Sequence, residues 1–232
     1  KYIVIDKEPD GIVEENNNPT LQRANSLKRI ELSYDEHFNA ISDTNDDDFI
    51  MLSDNDEIPN LDSEEFKKNK NDIVIFNQLF FYFKFNLLYD RMLWPGTKGC
   101  RKKNLKSFSW LRNIKFKKYP IWRIDTYFSN TKYANLNIIN DGGWHFTNLK
   151  SPEDMFEKFM NFGHHDEFKL SGMTVDKIRD KISKREMFYD HFADKSSKNK
   201  WDSDYKLKKI DTDLLPRYLV SNREKYLEWF DL

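Results

Sequence analysis

Two carboxylates two positions apart, Asp54 and Asp56, stand in the stretch Asp46–Pro59 (DDDFIMLSDNDEIP) and form the chain's clearest chemical motif. Phe49–Leu52 ahead of them is a four-residue apolar run bounded by polar clusters, which predicts a short buried strand of a parallel sheet. In extended backbone, residues two apart point the same way and lie roughly 6.5 Å apart. Asp54 and Asp56 would then present paired oxygens at the strand's carboxyl end, where open α/β sheets bind ligands. Such hard donors suit Mg²⁺ or Mn²⁺, which in turn holds the phosphates of a nucleotide. Pro59 ends the strand, since it cannot donate to a ladder. A solvated acidic turn is the competing reading, because Asp-x-Asp by itself is a weak signal. A calcium loop beginning at Asp43 is excluded: Asp48 stands where the sharp bend needs Gly, and Asp54 where the loop needs Glu.

Three further places carry usable side chains. Gly142-Gly143-Trp144-His145-Phe146-Thr147 puts two glycines, which let backbone approach a ligand closely or form a bulge, before an indole and an imidazole. His145 can ligate a metal, donate to phosphate or sit satisfied in the core. His164, His165, Asp166 and Glu167 adjoin directly after Gly163. Gln22 and Arg23, in the first turn of an expected helix, are candidates for contacting a nucleotide, or belong to a solvated polar face.

The elements that must position these groups follow from the hydrophobic pattern. Lys1–Asp6 (KYIVID) reads as a strand and Lys7–Thr20 as a loop long enough to cover a site. Apolar steps of three and four predict an amphipathic helix over Leu21–Ala40. Strand, loop, helix and strand in that order give a right-handed crossover with a parallel sheet. Ser63–Lys70 reads as a short helix capped by Ser63. Asp72–Phe85 reads as one or two strands, with Gln78 and Tyr82 pointing into a cleft. Trp94–Thr97 reads as a turn, Gly99–Lys106 as a basic patch on a solvated edge or a diphosphate site, and Trp122–Phe128 and Leu136–Ile139 as strands. Ser151–Phe162 is a helix capped by Ser151 with Pro152 at its first position, ending at Gly163. Helices over Thr174–Lys184 and Pro216–Phe230 complete the chain, with a polar surface segment near Ala193–Asp204 between them.

At 232 residues the chain can bury a full core and suits one domain, residues 1–232. Charged residues make up 33% and nearly cancel to a net charge of −1, so no bulk field recruits nucleic acid or an acidic membrane. Aromatic content is 16%, enough for an aromatic core and for stacking surfaces in a site. The one cysteine, Cys100, excludes an intrachain disulfide. No apolar run approaches a membrane span and no signal peptide is visible. Phosphate loops of the Gly-rich Lys-Ser/Thr type are absent, which argues against ATPases and kinases of that class.

Taken in order, Gln22-Arg23, Asp54-Asn55-Asp56-Glu57-Ile58-Pro59, Gly143-Trp144-His145-Phe146-Thr147, the helix leading to His164-x-x-Glu167, and Leu215-Pro216-x-Tyr218-Leu219 resemble glycosyltransferase family 17. That family includes the β-1,4-mannosyl-glycoprotein 4-β-N-acetylglucosaminyltransferase. The resemblance runs from about Leu21 to about Glu228. It implies an α/β fold of the GT-A nucleotide-sugar (Rossmann-like) type with a mixed central sheet. It implies a divalent cation, Mn²⁺ or Mg²⁺, and inverting transfer of N-acetylglucosamine from UDP to a glycan hydroxyl.

In that reading Asp54, Asp56 and His145 hold the metal, while Gln22, Arg23, Asp54 and Trp144 meet the donor. A carboxylate opposite the leaving group takes the acceptor's proton. Asp166 and Glu167 are its candidates, with Glu57 as their rival. Family members begin with one or two further strand–helix units, so the expectation is a chain that lacks them, with a donor pocket incomplete or built differently. The membrane anchor and Cys-rich character of the eukaryotic, Golgi-resident members are missing too. Rich Lys, Asn, Ile and Phe usage suits an AT-rich, microbial or viral genome; the location is left open, cytoplasmic if the source is microbial or viral. Two other classes stay open: an inactive sugar-nucleotide or glycan-binding relative, and a nucleotidyltransferase that also uses paired aspartates.

Overall fold

The structure is a computed structural model that describes residues 2–14, 18–161, 165–192, 201 and 203–232. It is an α/β protein whose eight strands form a mixed sheet. The strands are β1 (Phe49–Leu52), β2 (Glu57–Pro59), β3 (Ile73–Tyr82), β4 (Leu87–Leu88), β5 (Trp94–Arg101), β6 (Leu136–Ile139), β7 (Gly143–Thr147) and β8 (Lys208–Lys209). The helices are α1 (Pro19–Ala40), α2 (Glu64–Lys67), α3 (Phe108–Asn113), α4 (Pro152–Met160), α5 (His165–Leu170), α6 (Val175–Ser183) and α7 (Arg217–Ser221). Among the described residues no helix is long and apolar enough to cross a membrane. The chain divides into two compact units: the first holds residues 1–54, 61–76 and 95–141, the second 55–60, 77–94 and 142–232.

In the first unit β1 runs antiparallel to β5, with Ile50 opposite Cys100, and the start of β3 runs parallel to β6, with Ile75 opposite Ile138. Alternation along the strands sends side chains to two faces. Ile50, Leu52, Ile73, Ile75 and Cys100 pack on Leu111 and Ile114 from one side. Val74, Phe76 and Ile139 meet Phe49, Met51 and Phe66 on the other. Helix α1 opens on Asn18, whose side chain accepts from the backbone N–H groups of Thr20 and Leu21, and on Pro19 in its first turn.

Four expectations fail here. Residues 2–6 form no strand; they are largely exposed, and a strand without a ladder partner leaves its backbone donors to water. The loop that follows is fastened at Val13, whose main chain exchanges two hydrogen bonds with the buried amide of Asn25. β1 therefore lacks the parallel partner that a crossover from KYIVID would have supplied, and its partner is antiparallel. Trp94–Thr97 is also not a turn but the opening of β5, and Trp122–Phe128 is a run of turns with a 3-10 stretch (Ile124–Thr126) instead of a strand. Pro120 and the absence of any alternating burial across Ile121–Phe128 account for the latter.

The second unit is built around the latter half of β3, which runs parallel to β7 with Phe80 opposite His145. β2 closes antiparallel on β7, and β4 joins β3 to β8. Its core is aromatic: Phe80, Tyr82, Tyr89, Phe159, Phe168 and Phe188 are buried together with Met155 and Ile178 from α4 and α6. α4 and α6 start on Ser151 and Thr174, each accepting from a backbone N–H three residues on. Pro216–Phe230, expected as one helix, breaks into α7 and a 3-10 stretch (Arg223–Trp229) at Asn222. Gly163, His164 and most of the polar segment at 193–204 lie outside the described residues.

Candidate functional site

The extended Asp54–Asp56 arrangement does not form. β1 ends at Leu52, Asn55 and Asp56 make a turn, and a new strand starts at Glu57. Asn and Asp favour such turns because their short side chains bond local backbone. The two carboxylates accordingly belong to different units. In the first, Asp54 accepts from Arg112 at 2.8 Å. In the second, Asp56 faces His145, with Oδ2 3.5 Å from Nε2.

Asp56 and His145 come together because β2 and β7 are paired. Glu57 lies directly opposite His145, and the backbone N–H of Phe146 donates to the carbonyl of Asp56 at 2.8 Å. The approach of the two strands depends on Gly143, which sits at φ +105° opposite Pro59; a Cβ there would lie 2.2 Å from the carbonyl oxygen of Ile58. The imidazole of His145 is buried and stacks on Trp94, with ring centroids 4.5 Å apart and 18° between planes, while Phe80 lies at 4.8 Å. Its Nδ1 has no hydrogen-bond partner among the described residues. Trp94 in turn donates its indole N–H to Oε1 of the buried Glu57 at 2.9 Å.

Asp56 lines a cavity of about 510 Å³ in the second unit together with Ile58, Phe146, Asn148, Lys150 and Lys158. Burial pushes the Asp56 carboxyl up, but the hydrogen bond and charge of His145, with Lys158 behind them, outweigh it and hold the group below the ordinary carboxylate range. Burial pushes Lys158 down, opposed by Asp56 and assisted by Lys150. Nζ of Lys158 donates to Oδ1 of Asn148 at 2.8 Å, and Asn148 occupies the left-handed region (φ +57°) directly after β7. The cavity wall therefore carries an ionised carboxylate, an amide and two ammonium groups.

Comparison with family models, with curated proteins and with solved structures returns no match for this chain.

The other expected site residues lie elsewhere. Gln22 and the exposed Arg23 are on α1 of the first unit. Trp144 donates its indole N–H to the carbonyl of Leu214 and packs in the cluster around Phe81 and Phe146. Asp166 and Glu167 are on α5; Glu167 is exposed and accepts from Trp201 at 3.3 Å. Gln78 and Tyr82 are fully buried in β3, with Tyr82 in the aromatic core of the second unit. In the basic patch, Lys103 pairs with Asp47 and Lys102 bonds the carbonyl of Thr44, so acids and carbonyls of this chain occupy two of its cations.

Trp94, Asn148 and Lys158 escaped the sequence reading. Only a weak signal marked them: an Asn after a strand, and one lysine in a helix whose Ser-Pro start was legible. Among the described residues no group of three or more His, Cys, Asp or Glu side chains is arranged to hold a metal. Two donors, Asp56 and His145, do adjoin. Of the two, the Asp56 carboxylate is the hard oxygen ligand that Mg²⁺ or Mn²⁺ takes in nucleotide sites, where one or two carboxylates are completed by phosphate oxygens and water; imidazole suits softer ions.

Proposed function

We propose that this chain is an inverting, metal-assisted glycosyltransferase of the GT-A type, moving a sugar from a UDP-sugar to a glycan hydroxyl. N-acetylglucosamine is the sugar that the family resemblance favours. The observation carrying the reading is Asp56, backed by the buried His145, on the wall of a cavity that Lys150 and Lys158 also line. A nucleotide-sugar donor brings a diphosphate and releases it with additional negative charge. Its site needs cations aimed at the leaving oxygen and a carboxylate that stays ionised.

In this reading Lys150 and Lys158 attract the diphosphate. Asp56, with His145 against the same carboxylate, would hold a divalent ion arriving with it, and such an ion would supply neutralisation of the leaving phosphate's charge. Trp94 fixes the imidazole plane by stacking, and Glu57 fixes Trp94 through its indole N–H. The acceptor hydroxyl loses its proton to a carboxylate as its oxygen attacks the anomeric carbon and the bond to phosphate breaks. Neither candidate base lines this cavity: Glu57 is buried against Trp94, and Glu167 lies on α5, where it accepts from Trp201.

The test is UDP release from UDP-N-acetylglucosamine with Mn²⁺, alongside donor binding by calorimetry, for the wild type, Asp56→Asn and His145→Gln. Metal-dependent release that falls at least about a hundredfold in Asp56→Asn is expected, the scale of losing one electrostatic contact to developing charge. Release unchanged in both variants sinks the assignment. Binding without turnover in the wild type would instead support a sugar-nucleotide-binding protein, a reading favoured by the engagement of Asp54 with Arg112.

A further inference from the structure

The near-zero net charge hides a segregated distribution. Residues 95–140, all in the first unit, hold eleven Lys and Arg and a single acid, Asp125. Part of this charge is spent inside the unit: Lys103 pairs with Asp47, Arg112 with Asp54, and both Arg123 and Lys132 with Asp125. Lys115, Lys117 and Lys118 are exposed and have no carboxylate partner among the described residues. Immediately after them the chain displays Ile121, Trp122, Ile124, Tyr127 and Phe128, each at least 71% exposed. Isolated exposed apolar residues are ordinary, but five large ones within eight positions are not.

We propose that residues 115–128 dock the protein onto an anionic lipid surface, with Trp122, Phe128 and the two isoleucines entering the headgroup–acyl boundary and the three lysines meeting lipid phosphates and carboxylates. The chemistry selects this occupant. Lysines beside Trp, Phe and aliphatic side chains are the combination that binds bilayer interfaces, where apolar burial and attraction to anionic headgroups add. Ile121 and Ile124 offer neither a stacking face nor a hydrogen-bond donor to a nucleic acid, yet both gain by leaving water. The self-neutralised Arg123–Asp125–Lys132 cluster also leaves the apolar tip without a carboxylate to be repelled by the membrane. This inference stands apart from the proposed transferase activity.

The experiment is co-sedimentation of the full chain with phosphatidylcholine vesicles containing or lacking phosphatidylserine, with Trp fluorescence quenching by brominated acyl chains as a depth readout. Binding to the anionic vesicles is expected, weakening with salt and accompanied by quenching that Trp122→Phe reduces. Trp122→Ser/Phe128→Ser should weaken partition about tenfold or more, and Lys115→Gln/Lys117→Gln by about fivefold per cation. All four side chains are exposed, so folding is preserved, and circular dichroism checks this. Absent binding, equal binding to neutral vesicles, or unchanged partition of both variants overturns the proposal. So does complete displacement from vesicles by a single-stranded oligonucleotide, which would mark the surface as a nucleic-acid site.

Discussion

Replacing Gly143 by Ala tests whether the close approach of β2 and β7 holds the candidate site together. A Cβ on residue 143 would meet the carbonyl oxygen of Ile58 at 2.2 Å, the amide nitrogen of Asn60 at 2.6 Å and the carbonyl carbon of Pro59 at 3.0 Å. All three are backbone atoms, so no rotamer change relieves the overlap. Alanine at φ +105° also carries a conformational penalty of about 1–3 kcal/mol. Relief requires β2 to part from β7, which forfeits one or two ladder hydrogen bonds at about 1 kcal/mol each. The sum is about 2–5 kcal/mol, reaching the severe end of single substitutions.

Gly172→Ala supplies the reference. Gly172 has φ +65° with nothing within 4 Å of the added carbon, so only the conformational cost applies, about 1–2 kcal/mol. Urea denaturation of both variants reads the difference as a shift in midpoint at constant slope. Gly143→Ala should be the less stable by about 2 kcal/mol, and it should lose donor binding because Asp56 and His145 ride on the separated strands. If the two variants lose equal stability, strand contact at Gly143 is not what positions the pair.

The pH dependence of stability should carry a signature of Asp56. Its carboxyl is held below the ordinary carboxylate range, so its stabilising contribution is complete above about pH 4 and disappears as the pH falls through its lowered value. Wild-type protein should therefore lose more stability than Asp56→Asn in that acid window, measured by urea midpoints; parallel pH curves would refute the shift. Burial and the nearby charge of Asp72 push the Cys100 thiol up to about 12. It should accordingly resist Ellman's reagent at pH 8 in native protein and react at once in urea, and rapid native labelling would show that the sheet around β5 opens.

Much of this architecture could be read where one local rule acts alone. The cap at Ser151 and the breadth of β3 needed only local chemistry or a run of β-branched and aromatic residues, whereas the side chain of Ser63, expected to cap α2, makes no capping hydrogen bond. Failures arose where a distant partner decided. KYIVID has strand composition but no ladder partner, and Trp94–Thr97 has turn composition but a whole strand, β1, waiting for the continuation of β5. Within the site, His145 and Asp56 were legible as chemistry, yet their contact depends on antiparallel pairing that no spacing encodes. Asp54 was read as the partner of Asp56 because extended geometry was assumed; the turn at Asn55–Asp56 replaced that geometry.

The three-residue length of β2 has a consequence for how such a chain can change over generations. Glu57, Ile58 and Pro59 face His145, Trp144 and Gly143 one to one, and side chains alternate at every step. Losing one residue within β2 would turn the face that carries Glu57 toward water and swing Ile58 inward, dismantling the support of Trp94 and His145 at a stroke. A residue added ahead of Asp56 leaves that register in place, whereas one added after Asp56 carries its carboxylate away from His145. Viable insertions and deletions should thus cluster before Asp56 and be missing from Asp56 through Pro59.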